Sequence, residues 1–398
     1  MQKHRRQLLL AAGALSTGAV LPVRLSNAAG KSAVIAVSAE ISHITSLSDE
    51  AVIAGLTLAL QDLNATTGAT GFSWELLKYD NGSIPSRGVA HLRELAKREN
   101  LAGIFGGKFS PVVLAMMPVS KDLGIPLFAP WSAADDITAD PERAQFVFRL
   151  SMRDSWAMSK LVERAVRRGY RTLGLLVPNS GWGRSCVNAI EKKISTLANG
   201  PTLTQQFYNW GGETTLLPQY LALVNAGAQA LVLVANESEA ALLAGEIVEK
   251  PPANRRLPIL SHWGITGGDT IGLSKRAILQ LDVSFLQTFN FLRAKNPAAA
   301  RLAARAEKLL EVDNIHAFPA QVGIAHAYDL MMMIGAAIRP LSSINGPAVA
   351  KAMTSIQSHQ GIVKRYVAPY AHGNRDALSE EDVFFCRYAA NGEIRPEL

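Results

Sequence analysis

A chain of 398 residues is longer than one hydrophobic core of ordinary size organises, so two lobes are expected. Hydrophobic residues at 48% and charged residues at 18% exclude a long disordered or low-complexity chain. The formal charge of +7 shrinks once residues 1–28 are set aside: they carry Lys3, Arg5, Arg6 and Arg24 and no acid, leaving 36 basic against 33 acidic residues and no electrostatic reason to expect nucleic acid.

The N-terminal stretch MQKHRRQLLLAAGALSTGAVLPVRLSNAAG has a basic start, an apolar middle and small residues at Ser26 and Ala28. That middle, about 14 residues, falls short of the roughly 20 that a membrane span needs. Residues 1–28 therefore read as a cleaved export signal, with Arg5 and Arg6 giving it a twin-arginine-like start. A retained membrane anchor is the alternative.

From Lys31 onward, short Val/Ile/Leu-rich runs alternate with segments of helical spacing, the pattern of parallel sheets covered on both faces. SAVIAVSAE (32–40) leads into a helix over 49–64, with Asp49 as a plausible cap; FSWELLKYD (72–80) leads into a helix near Pro85. LAGIFGG (101–107) precedes a helix from Ser110, and IPLFAP (125–130) closes the first set. After FVFRLSMRD (146–154) the rhythm restarts. TLGLLVP (172–178) is followed by a helix from about Gly183, ALVLVA (230–235) by one from Glu237, and LPILSH (257–262) by a glycine-rich loop. AILQLDVSFLQT (277–288) reads as a strand crossing between lobes, followed by helices near 297–311 and 319–338; the tail from about 360 reads as a last crossing and edge strands.

The fold class is α/β: two doubly wound, Rossmann-like lobes with parallel central sheets, joined by a multi-strand hinge near 149–153. Lobe 1 is expected over 31–150 plus 288–355, and lobe 2 over 151–287 plus 356–398. Ligands of such sheets bind beyond the carboxyl ends of the strands. That selects Ser38–Ser46, Gly106–Ser110, Trp131–Asp135, Asn179–Gly183, Ala235–Ser238 and Ser261–Gly268.

Enzyme patterns fail one after another. No G-x-S-x-G elbow, phosphate-binding loop or His-Glu-x-x-His occurs, and GWGRSC (181–186) starts like a dinucleotide fingerprint but has Cys186 where the third glycine belongs. The eight histidines show no metal spacing, so no catalytic residue, cofactor or metal is expected. Asp135 and Asp136 fit a loop or helix cap better than an acid–base pair. Cys186 and Cys386, far apart in sequence, fit two free buried thiols better than a disulfide.

The ordered set IFGGKFSPVVLAMMPVSKDLGIPLFAPWSAADDIT, FVFRLSMRDSWAMSKLVERA and TLGLLVPNSGWGRSCVNAI resembles the type I periplasmic binding proteins of the leucine/isoleucine/valine and amide-binding class. The landmarks are Gly106–Gly107, Ser110, Ile125–Pro130, Ile137–Thr138, Phe148–Arg149 with Asp154, and Trp182–Gly183. The resemblance implies a monomeric, periplasmic, non-enzymatic capture protein that closes two lobes on a small molecule and hands it to an inner-membrane ABC permease. A sensor feeding a membrane receptor kinase would share the fold, and an enzyme is a remoter alternative.

By the same resemblance, Ser110 holds a ligand carboxylate at a helix N-terminus, Ala133 stands at a second hydroxyl position that adjacent Ser132 replaces, and Trp182 stacks over the ligand. Asn236 lies in the strand-end loop preceding Glu237. Glu237 is either a partner for a ligand ammonium or a first-turn helix acid. Trp131, Trp182 and Trp263 all fall at strand ends. Three aromatics without a firm ammonium partner favour an aromatic or hydrophobic carboxylate, ahead of a branched-chain or aromatic amino acid; a cage for a quaternary ammonium is a further alternative.

Overall fold

The computed structural model describes residues 31–41, 46–66, 71–250, 256–371 and 373–397; the expected export signal lies outside them. The first lobe runs β1 (Lys31–Ala39), α1 (Ser48–Ala65), β2 (Phe72–Asp80), α2 (Pro85–Leu95), β3 (Leu101–Gly106), α3 (Ser110–Leu123), β4 (Leu127–Ala129) and β5 (Val147–Arg149). Its strands form one parallel sheet in the order β2-β1-β3-β4-β5. β3 is buried along its whole length, as a strand covered by helices on both faces must be, and its sequence is correspondingly apolar without alternation.

The second lobe repeats the plan with α4 (Asp154–Arg167), β6 (Thr172–Pro178), α5 (Gly181–Ser195), β7 (Thr202–Tyr208), α6 (Leu217–Asn225), β8 (Ala230–Leu233), α7 (Glu237–Glu249), β9 (Ile259–Ser261) and β10 (Val283–Gln287). Its parallel strands follow the order β7-β6-β8-β9-β10, the same winding as the first lobe. Each sheet thus reverses its strand order once, between β1 and β3 and between β6 and β8, which opens a crevice at the carboxyl ends there. Gly183 lets α5 begin tight against β6, since a Cβ there would run into the Pro178 carbonyl.

The chain then returns to the first lobe with α8 (Pro297–Leu310), α9 (Gln321–Ile338) and α10 (Gly346–Thr354), followed by the hairpin β11 (Ser358–Gln360) and β12 (Arg365–Val367). α9 is apolar on most of its surface and by length and composition resembles a membrane span, but it is a core helix packed along α1. β13 (Phe384–Tyr388) and β14 (Ile394–Pro396) finally add antiparallel strands to the second sheet.

Three expectations need correction. Residues 277–288 do not form one crossing strand: Ala277–Gln280 is a helical turn, and β10 is an internal strand of the second sheet, so the crossing follows it. The segment from 356 to about 378 packs on the first lobe, not the second: Tyr366 and Tyr370 join the core of the first sheet, and the buried Asp329 carboxylate of α9 accepts from the Ile362 and Val363 N–H groups and from Tyr366 Oη. Burial pushes that carboxyl up to about 6 despite the three donors. Asp49 is no cap. It lies inside α1, and its carboxylate accepts from the N–H groups of Glu40 and Lys108, both at 2.7 Å, tying together the ends of β1 and β3. Strand β7 and helix α6 had no sequence expectation at all; β7 is an edge strand with one buried residue, so its apolar pattern is faint.

Candidate functional site

The lobes are shut on one another. At the start of α1 the N–H groups of Leu47 and Ser48 donate to the Gly267 carbonyl of the other lobe, at 2.9 and 2.8 Å. Asp135 N–H donates to Ser185 Oγ at 3.0 Å, and Asp154 N–H to the Ala133 carbonyl at 2.9 Å. Behind them, at the hinge, His326 bonds the Pro130 carbonyl through Nδ1 and Thr288 through Nε2; burial holds its pKa down to about 4.

Between the two sets of strand ends lies a narrow cavity that opens partly to solvent. Six of the eight residues singled out by sequence line it: Ser110, Trp131, Ala133, Trp182, Asn236 and Trp263. They come from the ends of β3, β4, β6, β8 and β9, so both lobes contribute. Trp131 and Trp263 meet across the lobe boundary with ring centroids 5.2 Å apart. Their position at strand ends does face the cavity, yet both rings are almost wholly buried and also knit the two lobes together. Trp182 stands opposite, its Nε1–H donating to Asp154 Oδ1 at 3.1 Å.

Ser110 opens α3 but makes no capping bond within it. Its Oγ accepts from the Ala134 N–H at 3.2 Å, which leaves the hydroxyl proton to donate into the cavity at a helix N-terminus, where an anion is favoured.

Two expected contacts are not found. The Ser132 hydroxyl points away from the cavity and donates to the Gly107 and Lys108 carbonyls, holding the loop after β3. Glu237 is outside the lining as well: its carboxylate is clasped by Lys108 Nζ at 2.9 and 3.1 Å, a buried ion pair that bridges the lobes. Gly267 makes room for it, because a Cβ there would lie 2.7 Å from Glu237 Oε2 and 3.3 Å from Lys108 Cδ. Asp135 is engaged by Arg153 and by the Ser155 N–H in the first turn of α4, in keeping with a loop or cap role.

Sequence reasoning singled out neither Lys108 nor Phe109, Ser180, Gly264 or Trp210, all of which line the cavity. The first four fall within segments that the strand-end rule selects, so the place was readable but the residue was not. Trp210 follows the unrecognised β7 and stacks on Phe109 of the other lobe at 4.3 Å.

Beneath Trp182 the fold gathers Asp154, Cys186 and His262, all buried, with their donor atoms within 4.8 Å of one another. Positions 154, 186 and 262 are too far apart in sequence to show any spacing, so nothing in the sequence signals this grouping. Cys186 and Cys386 are both buried and free.

A sequence model described as "Periplasmic binding protein" matches residues 34–392. The chain is similar to a Leu/Ile/Val-binding protein homolog of Brucella abortus, 25% identical over 202 residues, covering 47% of this chain and 48% of that one; the match thus spans about half the length of the curated relative. Its fold resembles that of a type 1 periplasmic binding protein from Bordetella pertussis, with a TM-score of 0.80 at 19% identity over 92% of this chain and all of that one. It also resembles an ABC-transporter solute-binding protein from Rhodopseudomonas palustris in complex with p-hydroxybenzoic acid, with a TM-score of 0.75 at 15% identity over 92% and 96% of the two chains. With the model matched over nearly all the described residues, and with two like-wound lobes shut over a cavity at their strand ends, this chain belongs to the type I periplasmic binding proteins.

Proposed function

We propose that this protein is the exported, non-enzymatic solute-binding component of an ABC importer, and that its solute is an aromatic or hydrophobic carboxylate. One observation carries the choice of ligand: among the described residues the cavity lining contains no carboxylate, and the nearest acid singled out, Glu237, is already neutralised by Lys108. A ligand ammonium would find no anion there. An acid finds the Ser110 hydroxyl and the N-terminus of α3, while Trp131, Trp182, Trp263 and Trp210 supply flat apolar walls. The aromatic acid bound by the Rhodopseudomonas protein supports this reading. The name of the Brucella relative favours the second, a branched-chain amino acid. In either case the solute selects the shut form by touching both lobes at once.

The test is a panel of benzoate-type acids, aliphatic acids and amino acids scored by thermal shift, tryptophan fluorescence and calorimetry. Aromatic acids are expected to raise Tm and alter the fluorescence more than leucine does. Leucine binding more tightly than every acid would move the assignment to the amino acid, and no response to any compound would overturn solute binding. In the same assay Ser110→Ala is expected to weaken a carboxylate by about 1.5–3 kcal/mol, the value of a hydrogen bond to a charged group. Unchanged affinity would remove Ser110 from the site.

A further inference from the structure

We propose that Asp154, Cys186 and His262 form a binding site for one divalent cation of the zinc class, set directly behind the Trp182 wall of the cavity. Asp154 opens α4, Cys186 lies in α5 and His262 follows β9, so three separate elements of the second lobe deliver one donor each. All three side chains are buried. Among the described residues Asp154 Oδ2 and both ring nitrogens of His262 make no directed hydrogen bond, while the Cys186 thiol lies against the Asp154 carboxylate. His262 Nε2 stands 3.2 Å from Asp154 Oδ1 without making a directed bond. Leaving a carboxylate oxygen and an imidazole unsatisfied in a dry interior is costly, and native interiors rarely do so.

A cation resolves all of these at once. Sulfur, nitrogen and oxygen donors together suit a borderline-soft ion such as Zn²⁺ and not Mg²⁺ or Ca²⁺, which take oxygen shells. Three protein ligands leave a fourth position for water, and binding releases the Cys186 thiol proton to solvent. The surroundings already have the form of an outer shell: Trp182 Nε1–H donates to Asp154 Oδ1, and the indole meets the His262 ring edge-on at 5.2 Å. Asp154 N–H reaches across to the Ala133 carbonyl, which also borders the cavity. A bound cation would therefore stiffen the Trp182 wall and couple its own occupancy to solute affinity.

Full-length mature protein, stripped with a chelator and titrated with Co²⁺, tests the site. One equivalent should produce the near-ultraviolet thiolate-to-cobalt charge-transfer band and tetrahedral visible bands, and Zn²⁺ should displace it. Cys386→Ser should leave both intact, whereas Cys186→Ser should remove the charge-transfer band and weaken Zn²⁺ by more than about tenfold. Zn²⁺ should raise the Tm of the stripped wild type and not that of Cys186→Ser, with His262→Gln as the second variant. Absence of a thiolate band in the wild type, or a band that survives Cys186→Ser, overturns the proposal, and the wild-type spectrum decides it even if a variant fails to fold.

Discussion

Replacing Lys108 with methionine is expected to lower solute affinity by roughly two to nearly four orders of magnitude while changing the melting temperature little. Removing one partner of a buried ion pair leaves the other charge uncompensated, at a cost of about 3–5 kcal/mol. Lys108 and Glu237 sit in different lobes, so that cost is confined to the shut form; when the lobes part, Glu237 regains water. Calorimetry on the single variant and on Lys108→Met combined with Glu237→Gln separates this account from a general packing defect. Two neutral side chains leave no stranded charge, so the double variant should recover most of the lost affinity. Failure of the double variant to recover would mean that Lys108 acts on the ligand and not through Glu237. A single variant that gains affinity for amino acids would show that the freed carboxylate can take up an ammonium.

Trp131→Ala is expected to weaken the solute by about 3 kcal/mol or more, the lower end of what truncating a buried tryptophan costs. Its effect on Tm should be smaller. One face of the ring packs inside the first lobe, where a Cβ on Gly323 would come within 3.3 Å of it, and Ser151 Oγ holds its carbonyl at 2.7 Å. The other face meets Trp263, a contact that exists only while the lobes are shut. Truncation therefore removes both a cavity wall and part of the closure contact. Thermal unfolding of the solute-free protein measured beside solute binding distinguishes the two: a collapse of Tm with binding preserved would make Trp131 a core residue.

The periodic features of this chain were readable because they are local. A run such as LAGIFGG declares a doubly covered strand by itself, and the recurrence of strand and helix declares the winding of both sheets. The strand-end rule then selected the segments that hold six cavity residues, within which the family resemblance singled out Ser110, Ala133 and Trp182. Errors arose where the local pattern was weak or where the partner was remote. The edge strand β7 buries only Tyr208, and the hairpin at 358–367 is assigned to its lobe by Asp329, a residue in a different helix.

Charge was the harder matter. From sequence, Glu237 is equally a ligand partner or a first-turn helix acid; the structure shows it occupied by Lys108, 129 positions away. Ser132, one residue from a cavity residue, turns inward to bond two carbonyls. Asp154, Cys186 and His262 carry no motif, because their nearness depends on α4 and α5 beginning and β9 ending at one level. The sequence by itself determined the two-lobed α/β architecture and the region of the cleft, since these follow from short-range periodicity and from the geometry of parallel sheets. Which polar groups are free to meet a ligand was decided only by the tertiary structure, because a buried charge or hydroxyl is satisfied by whatever the fold brings within 3 Å, however far off in the chain.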